Sequence, residues 1–229
     1  MKQSSIGFRH KDWGSEEKRK ARFASVFGVY QKVMGCKSLP AGKQYITLCG
    51  MHTNDGCELP HALDEGIIRS ARQFHGIDLE SDVIEHNRRE YPQAHWYHDE
   101  FTRALEKIEP FNPGLVNFDM VCMVDNACLS IAQALFVLVD RKVDDVFLVA
   151  NFLLNNPREQ SKFCRSPTDV WEWFYRSSSS GSTLRRAMDR GWRVHTESYL
   201  YGGADNRSRS YMQTVYFFKK GNGKGQKRV

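Results

Sequence analysis

Tyr45-Ile46-Thr47-Leu48-Cys49-Gly50 opens the stretch YITLCGMHTNDGCELPHALDEGIIRSARQFHGID, residues 45–78, whose reading decides the fold. The apolar, β-branched run Tyr45 to Cys49 has the length of a buried strand. Gly50 ends it, and a polar loop from Met51 to Cys57 follows, with Asn54-Asp55-Gly56 at its turn. A helical pattern starts near Glu58, with Leu59, Ala62 and Leu63 on one face and Gly66 near its end. A second apolar run, Phe74 to Ile77, closes on Asp78. Strand, glycine-bearing loop, helix and a strand ending in an acid make the first half of a nucleotide-binding α/β unit. Gly50 and Gly56 let backbone approach a ligand closely, and Asp78 can accept hydrogen bonds from two ribose hydroxyls. Any doubly wound protein could carry the same unit with Asp78 merely capping a helix. The stretch alone leaves both readings open.

Outward from it, the alternation of elements continues. Upstream, Phe23, Val26, Phe27, Tyr30, Val33 and Met34 recur at helical spacing. Ser15 is placed as N-cap, Glu16 and Glu17 stand in the first turn, and Gly35 is the stop. This predicts a helical extension over residues 1–44, joined through Ser38-Leu39-Pro40-Ala41-Gly42 and packed on the domain that follows. Downstream come a helix over Asp82–Glu90 and a strand, His95 to His98, followed at once by Asp99 and Glu100. A helix over Phe101–Ile108 leads to a strand over Leu115–Val121. Ala127 to Val139 is apolar nearly all round and reads as a buried helix. The most hydrophobic run, Val146 to Leu154, reads as the central strand. An aromatic-rich helix, Val170 to Tyr175, precedes a serine run, Ser177–Ser180, that reads as a surface loop. Thr183 to Asp189 forms the next helix, closed by Gly191. Trp192–Tyr201 and Ser210–Phe218 then make an antiparallel hairpin across a Gly/Asn turn. A basic tail occupies 219–229.

The totals set the class. With 229 residues and 41% hydrophobic content, the chain suits one α/β domain with an extension. No apolar run nears the roughly 20 residues needed to cross a bilayer, and Met1 to Gly14 lacks the apolar stretch of a secretion signal. A cytoplasmic protein with no membrane partner is expected. The six cysteines, at 36, 49, 57, 122, 128 and 164, form no Cys-x-x-Cys pair, so reduced thiols are expected. Cys57 and His61 stand at i and i+4 near His52, but no second ligand pair accompanies them, so no metal is expected. The net charge of +6 is concentrated in Lys18, Arg19, Lys20 and Arg22 and in Lys219, Lys220, Lys224, Lys227 and Arg228. Such clusters point to an acidic partner, DNA or RNA. A solvated helix face and a solubilising tail would look the same.

The order of elements resembles the class I S-adenosylmethionine-dependent methyltransferase fold. That fold is a Rossmann-like, seven-stranded, mostly parallel sheet with a C-terminal antiparallel hairpin. RVHTESYLY and SYMQTVYFF resemble its last two strands, and the likeness covers residues 45–218. The resemblance implies S-adenosylmethionine as cofactor. HGIDLESDVIEHNRR is similar to the second-strand segment, which puts Asp78 on the ribose and Leu79 beside the adenine. HWYHDEFTRAL is similar to the third-strand segment, which puts Asp99 or Glu100 at the adenine amino group. Gly50, Met51, Asp55 and Gly56 fall in the loop that cradles the methionine part, and Asp119 falls at the end of the fourth strand.

Two departures bear on function. The family's first motif has an acid at the strand end and then Gly-x-Gly; here Gly50 and Gly56 stand six apart, with Asp55 and Cys57 where further glycines would fall. No Asp/Asn-Pro-Pro-aromatic motif follows Asp119 or Asp125, and Asn155-Asn156-Pro157 is displaced from its place. Asp119, Asp125 and Asn126 are candidates for a base by position, and equally for helix caps. Two readings follow from the resemblance. One is a methyltransferase acting on a nucleic acid. The other is a catalytically degenerate fold kept as a nucleic-acid or protein binding module. A nicotinamide-binding enzyme would instead want Gly-x-Gly-x-x-Gly directly after the first strand.

Overall fold

Successive side chains of a strand point to opposite faces, and this alternation builds two apolar layers here. The computed structural model describes residues 24–50, 57–153, 178–201 and 210–220. Within them lie β1 (Gln44–Leu48), β2 (Phe74–Asp78), β3 (His95–His98), β4 (Pro113–Met123), β5 (Val146–Leu153), β6 (Arg193–Tyr201) and β7 (Ser210–Lys219). They form one seven-stranded sheet in the order β3-β2-β1-β4-β5-β7-β6. The first five run parallel, and β7 is antiparallel to both of its neighbours. The helices are α1 (Val29–Met34), α2 (Leu59–Asp64), α3 (Ser81–Glu90), α4 (Phe101–Lys107), α5 (Val124–Asp140) and α6 (Ser178–Asp189). Sheet, alternation and terminal hairpin match the α/β fold read from the sequence.

Ile46, Ile77, Val116 and Leu148 face one layer, where they meet Phe101 and Leu105 of α4, Leu135 and Leu138 of α5, and Leu184 and Ala187 of α6. Tyr45, Phe74, Leu115 and Phe147 face the other, where they meet Tyr30 of α1, Leu59 and Ala62 of α2, and Ile84 of α3. The upstream stripe thus packs on the sheet: the Phe27 ring meets Tyr45 edge-on at 5.7 Å and the Tyr30 ring meets Phe147 at 6.0 Å. Gly35 ends α1 in the left-handed conformation, φ 73°, its N–H donating to the Gln31 carbonyl.

Several boundaries and placements differ from expectation. Residues 24–28 form a π-helical turn rather than α-helix; Ser15 to Phe23 lie outside the described residues, as does Val170–Tyr175. β4, not β5, is the central strand, with β5 beside it. β4 is also longer than predicted and runs straight into α5, which begins at Val124 rather than Ala127. That helix is not buried all round, because Gln133, Phe136 and Asp140 face outward. The Arg186 guanidinium lies over the exposed Phe136 ring at 5.3 Å. Ser178, Ser179 and Ser180 form the first turn of α6 instead of a loop. Burial of Leu184 and Ala187 against α5 outweighs the modest helix propensity of serine.

Candidate functional site

In an open α/β sheet, ligands sit beyond the carboxyl ends of the strands, where the strand order reverses. Here the reversal lies between β1 and β4, with β2 and β3 on one side. The β2 and β3 ends carry Asp78, Leu79, His98, Asp99 and Glu100, and Asp78 pairs in register with His98.

Asp78 ends β2 half-buried, and one carboxylate oxygen accepts the Glu80 N–H at 2.8 Å. Burial pushes its carboxyl above the usual range, against the pull of that N–H bond and of nearby His98. Leu79 beside it is 69% exposed, unusual for a large apolar side chain. Its backbone is held, because His98 Nε2 lies 3.0 Å from the Leu79 carbonyl oxygen. The Asp99 N–H donates to the Asp78 carbonyl at 3.1 Å, which locks the two strand ends side by side. The Asp99 carboxylate pairs with Lys107, and that ammonium holds it below the ordinary range. Glu100 is the N-cap of α4: its carboxylate accepts the Thr102 N–H at 3.2 Å and the Arg103 N–H at 3.1 Å. A capping carboxylate is held at the helix end. Both acids that the sequence left open are thus engaged, Asp99 by Lys107 and by the Glu100 N–H at 2.9 Å, and Glu100 by the first-turn amides of α4.

Nearer the reversal point, Gly50 follows β1, and its carbonyl accepts a 3.0 Å hydrogen bond from Asn87 Nδ2 of α3. Met51, Asp55 and Gly56 lie outside the described residues. Glu58 re-enters the structure immediately before α2 as a buried carboxylate. It accepts from the Tyr45 hydroxyl, from Thr47 Oγ1 at 3.1 Å and from Asn117 Nδ2 at 2.9 and 3.0 Å. Burial, and then Glu58 itself, raise the Tyr45 hydroxyl well above its ordinary value, so Tyr45 remains a donor. Burial also pushes the neighbouring Cys57 thiol up to about 12, which makes it an inert apolar filler rather than a nucleophile. The Asp119 backbone lies in β4 opposite Asn151. Asp125 and Asn126 lie in the first turn of α5. The side chains of all three fall outside the described residues.

Glu58, Asn87, Asn117 and His98 were not anticipated. Asn117 carried a signal, a polar residue between Val116 and Phe118 in a strand otherwise built for burial. Asn87 carried another, standing three residues after Ile84 on the apolar stripe of α3. Glu58 at a helix start reads as an ordinary first-turn acid, and nothing local marks it.

The basic tail departs from the other end of the sheet. Lys219, the last residue of β7, is opposite Val146 at the start of β5, and its ammonium pairs with Asp144 at 2.6 Å. Through the strand registers Asp78 stands level with Asn151, five residues from Val146, or roughly 17 Å along the strands. The tail therefore begins about that far from the edge holding Asp78. Among the described residues, no helix is long and apolar enough to cross a membrane.

No protein-family profile matches the sequence, and no curated protein does. Solved structures do. The methyltransferase domain of bacterial CtHen1-C is 14% identical, with a TM-score of 0.53 over 89% of this chain and 99% of that one. The CtHen1-CN form is also 14% identical, with a TM-score of 0.52 over 87% and 98%. A SAM-dependent methyltransferase from Archaeoglobus fulgidus is 13% identical, with a TM-score of 0.49 over 91% and 97%. Together with the strand order, the two CtHen1 likenesses establish a Rossmann-like class I methyltransferase fold; identities this low speak to fold alone.

Proposed function

We propose that this protein binds S-adenosylmethionine across the carboxyl ends of β2, β1 and β4 and transfers the methyl group to a nucleic acid. One observation carries the cofactor reading: a half-buried carboxylate, Asp78, stands beside an exposed leucine, Leu79, on the strand next to the reversal point. An acid with an apolar neighbour suits a ribose diol with an adenine face against it. Asp99, its backbone tied to that of Asp78, then stands where an exocyclic amine would donate.

When bound, the cofactor supplies a methyl group activated on a sulfonium. The protein's own part is to hold donor and acceptor in line and to exclude water, since transfer of this kind is mainly a matter of positioning. The carboxylate of Asp78 fixes the nucleoside, and the reversal point leaves the β1–β4 side for the acceptor.

The two basic clusters and the net charge of +6 support a nucleic acid as acceptor. The tail begins at the sheet end opposite Asp78. A polyanion that meets both therefore extends over at least roughly 17 Å.

The test is calorimetric titration with S-adenosylmethionine. Asp78→Ala removes a charged acceptor worth about 1.5–3 kcal/mol per hydrogen bond. Affinity is expected to fall at least about tenfold, with the melting temperature held. An unchanged dissociation constant sinks the role of Asp78. If the native protein binds oligonucleotide but not S-adenosylmethionine, the fold serves as a binding module instead.

A further inference from the structure

β6 is one edge of the sheet, with β7 as its single neighbour. Residues directly opposite in an antiparallel pair share a face. Two such pairs stand at the start of β6, Arg193 opposite Phe218 and His195 opposite Tyr216. Phe147 and Val149 of β5 continue the two rows inward. Each row therefore runs from the core, at Phe147 and Val149, to an exposed end, at Arg193 and His195. The His195 imidazole and the buried Tyr216 ring have centroids 6.1 Å apart and planes within 20°. Phe218 is only partly buried, its ring 6.2 Å from that of Phe147. Trp192 is buried and Val194 packs on the opposite layer, so the strand that presents Arg193 and His195 is anchored.

Flat imidazole, phenyl and guanidinium surfaces are those on which unpaired bases stack. Cations for phosphates stand beside them. Arg193 lies in one row, and Lys220, exposed, follows Phe218 and Lys219 at the start of the basic tail. Lys219 itself is answered by Asp144. We propose that Arg193, His195 and Phe218 form a stacking site for single-stranded nucleic acid. The inference rests on the nucleic-acid reading above and names the form of that partner. In a duplex the bases are already stacked on one another, so a duplex meets the same edge through its phosphates alone. The site is also separate from the cofactor residues: β6 lies five strand spacings from β2, about 24 Å at 4.8 Å each.

A purely electrostatic edge would hold single and double strands through the same cations, so the two forms separate the possibilities. Fluorescence anisotropy is run with labelled oligouridylate, oligothymidylate and a duplex of the same length, over a series of salt concentrations. For His195→Ala, affinity for a single strand is expected to fall at least about fivefold, and affinity for the duplex to stay within about twofold. His195→Phe keeps a ring and is expected to restore single-strand binding. Arg193→Lys keeps the charge but loses the plane, and a selective loss on single strands is again expected. Both positions are exposed, so the melting temperature is expected to hold. Equal losses on the two forms, no loss on either, or a loss that phenylalanine fails to restore overturn the proposal and leave the nucleic-acid reading standing. A native protein that binds neither form even at low salt overturns the nucleic-acid reading itself.

Discussion

His75 makes the fold acid-sensitive by an amount that can be measured. It lies in β2 three residues before Asp78 and is 4% exposed. Its ring stacks on that of His95 at 4.4 Å, and its Nδ1 lies 3.0 Å from the Tyr97 hydroxyl. Burial, and then His95, lower its pKa from 6.5 to about 3. An unfolded chain takes up a proton near 6.5 and the folded one only near 3, so between those values the unfolded state binds more protons. Stability from this group is therefore complete above the unfolded value and lost as pH falls toward the folded one. At 1.36 kcal/mol per pKa unit, the loss reaches about 3 kcal/mol by pH 4.5 and about 4 kcal/mol by pH 3. Against the 5–15 kcal/mol typical of a domain, roughly 3 kcal/mol is a large share. Urea unfolding at pH 7 and pH 4.5 reads it, with His75→Phe as comparison. Phenylalanine keeps a ring in the stack and cannot titrate. It gives up the bond to Tyr97, which shifts both of the variant's values equally. Carboxylates titrate alike in both proteins and cancel. The native protein is expected to lose about 3 kcal/mol more than the variant between the two pH values. Parallel losses, within about 0.5 kcal/mol, refute the burial argument. The result also governs function, because β2 carries Asp78: pH profiles of ligand binding are best read in the His75→Phe background.

Gly76→Ala should be costly, because a Cβ there would lie 2.6 Å from Trp96 Cε3 and 3.0 Å from Cys49 Sγ. The Trp96 ring cannot swing away, since its Nε1 donates to the Tyr91 carbonyl at 3.0 Å and its face meets Phe74. Overpacking of this kind costs about 1–3 kcal/mol, read as a lowered urea midpoint; an unchanged midpoint would mean the Trp96 pocket yields. Truncation after Lys220 leaves β7 whole and removes Lys224, Lys227 and Arg228. If the tail meets phosphates, the log–log salt slope of oligonucleotide binding should flatten by about 0.7–0.9 for each phosphate that the shortened chain no longer neutralises. Equal slopes for the two lengths of chain would show that the tail takes no part.

The fold was legible because its signals are local. The run Tyr45 to Cys49 and the hairpin alternation of residues 192–218 need only strand periodicity, and their order implies the sheet. What misled were features whose cause lies elsewhere in the chain. β5 reads as central because both of its faces are buried, yet β4 holds that place. β4 looks more polar because it carries Asn117, whose amide answers a carboxylate 59 residues away. The serines at the start of α6 read as a loop because their helix is held by Leu184 and Ala187, which pack on α5 from further along the chain.

The candidate site divides along the same line. The strand-end placement of Asp78 and Asp99 was legible because an acid there stands out against the apolar run before it. The partners of Asp99 and Glu100 needed geometry, since only the structure reveals that Asp99 pairs with Lys107 and that Glu100 caps α4. Glu58 could not be found from its neighbours, because its meaning lies in Tyr45 and Asn117, which come from two different strands. The count of glycines after β1 is for this reason a poor guide to whether the segment can serve a ligand. Glycine permits a close backbone approach but does not hold it, and it raises the entropy lost on ordering. The hydrogen bonds to Gly50 and Glu58 are of another kind: they are buried, and they leave unmet donors and acceptors if broken.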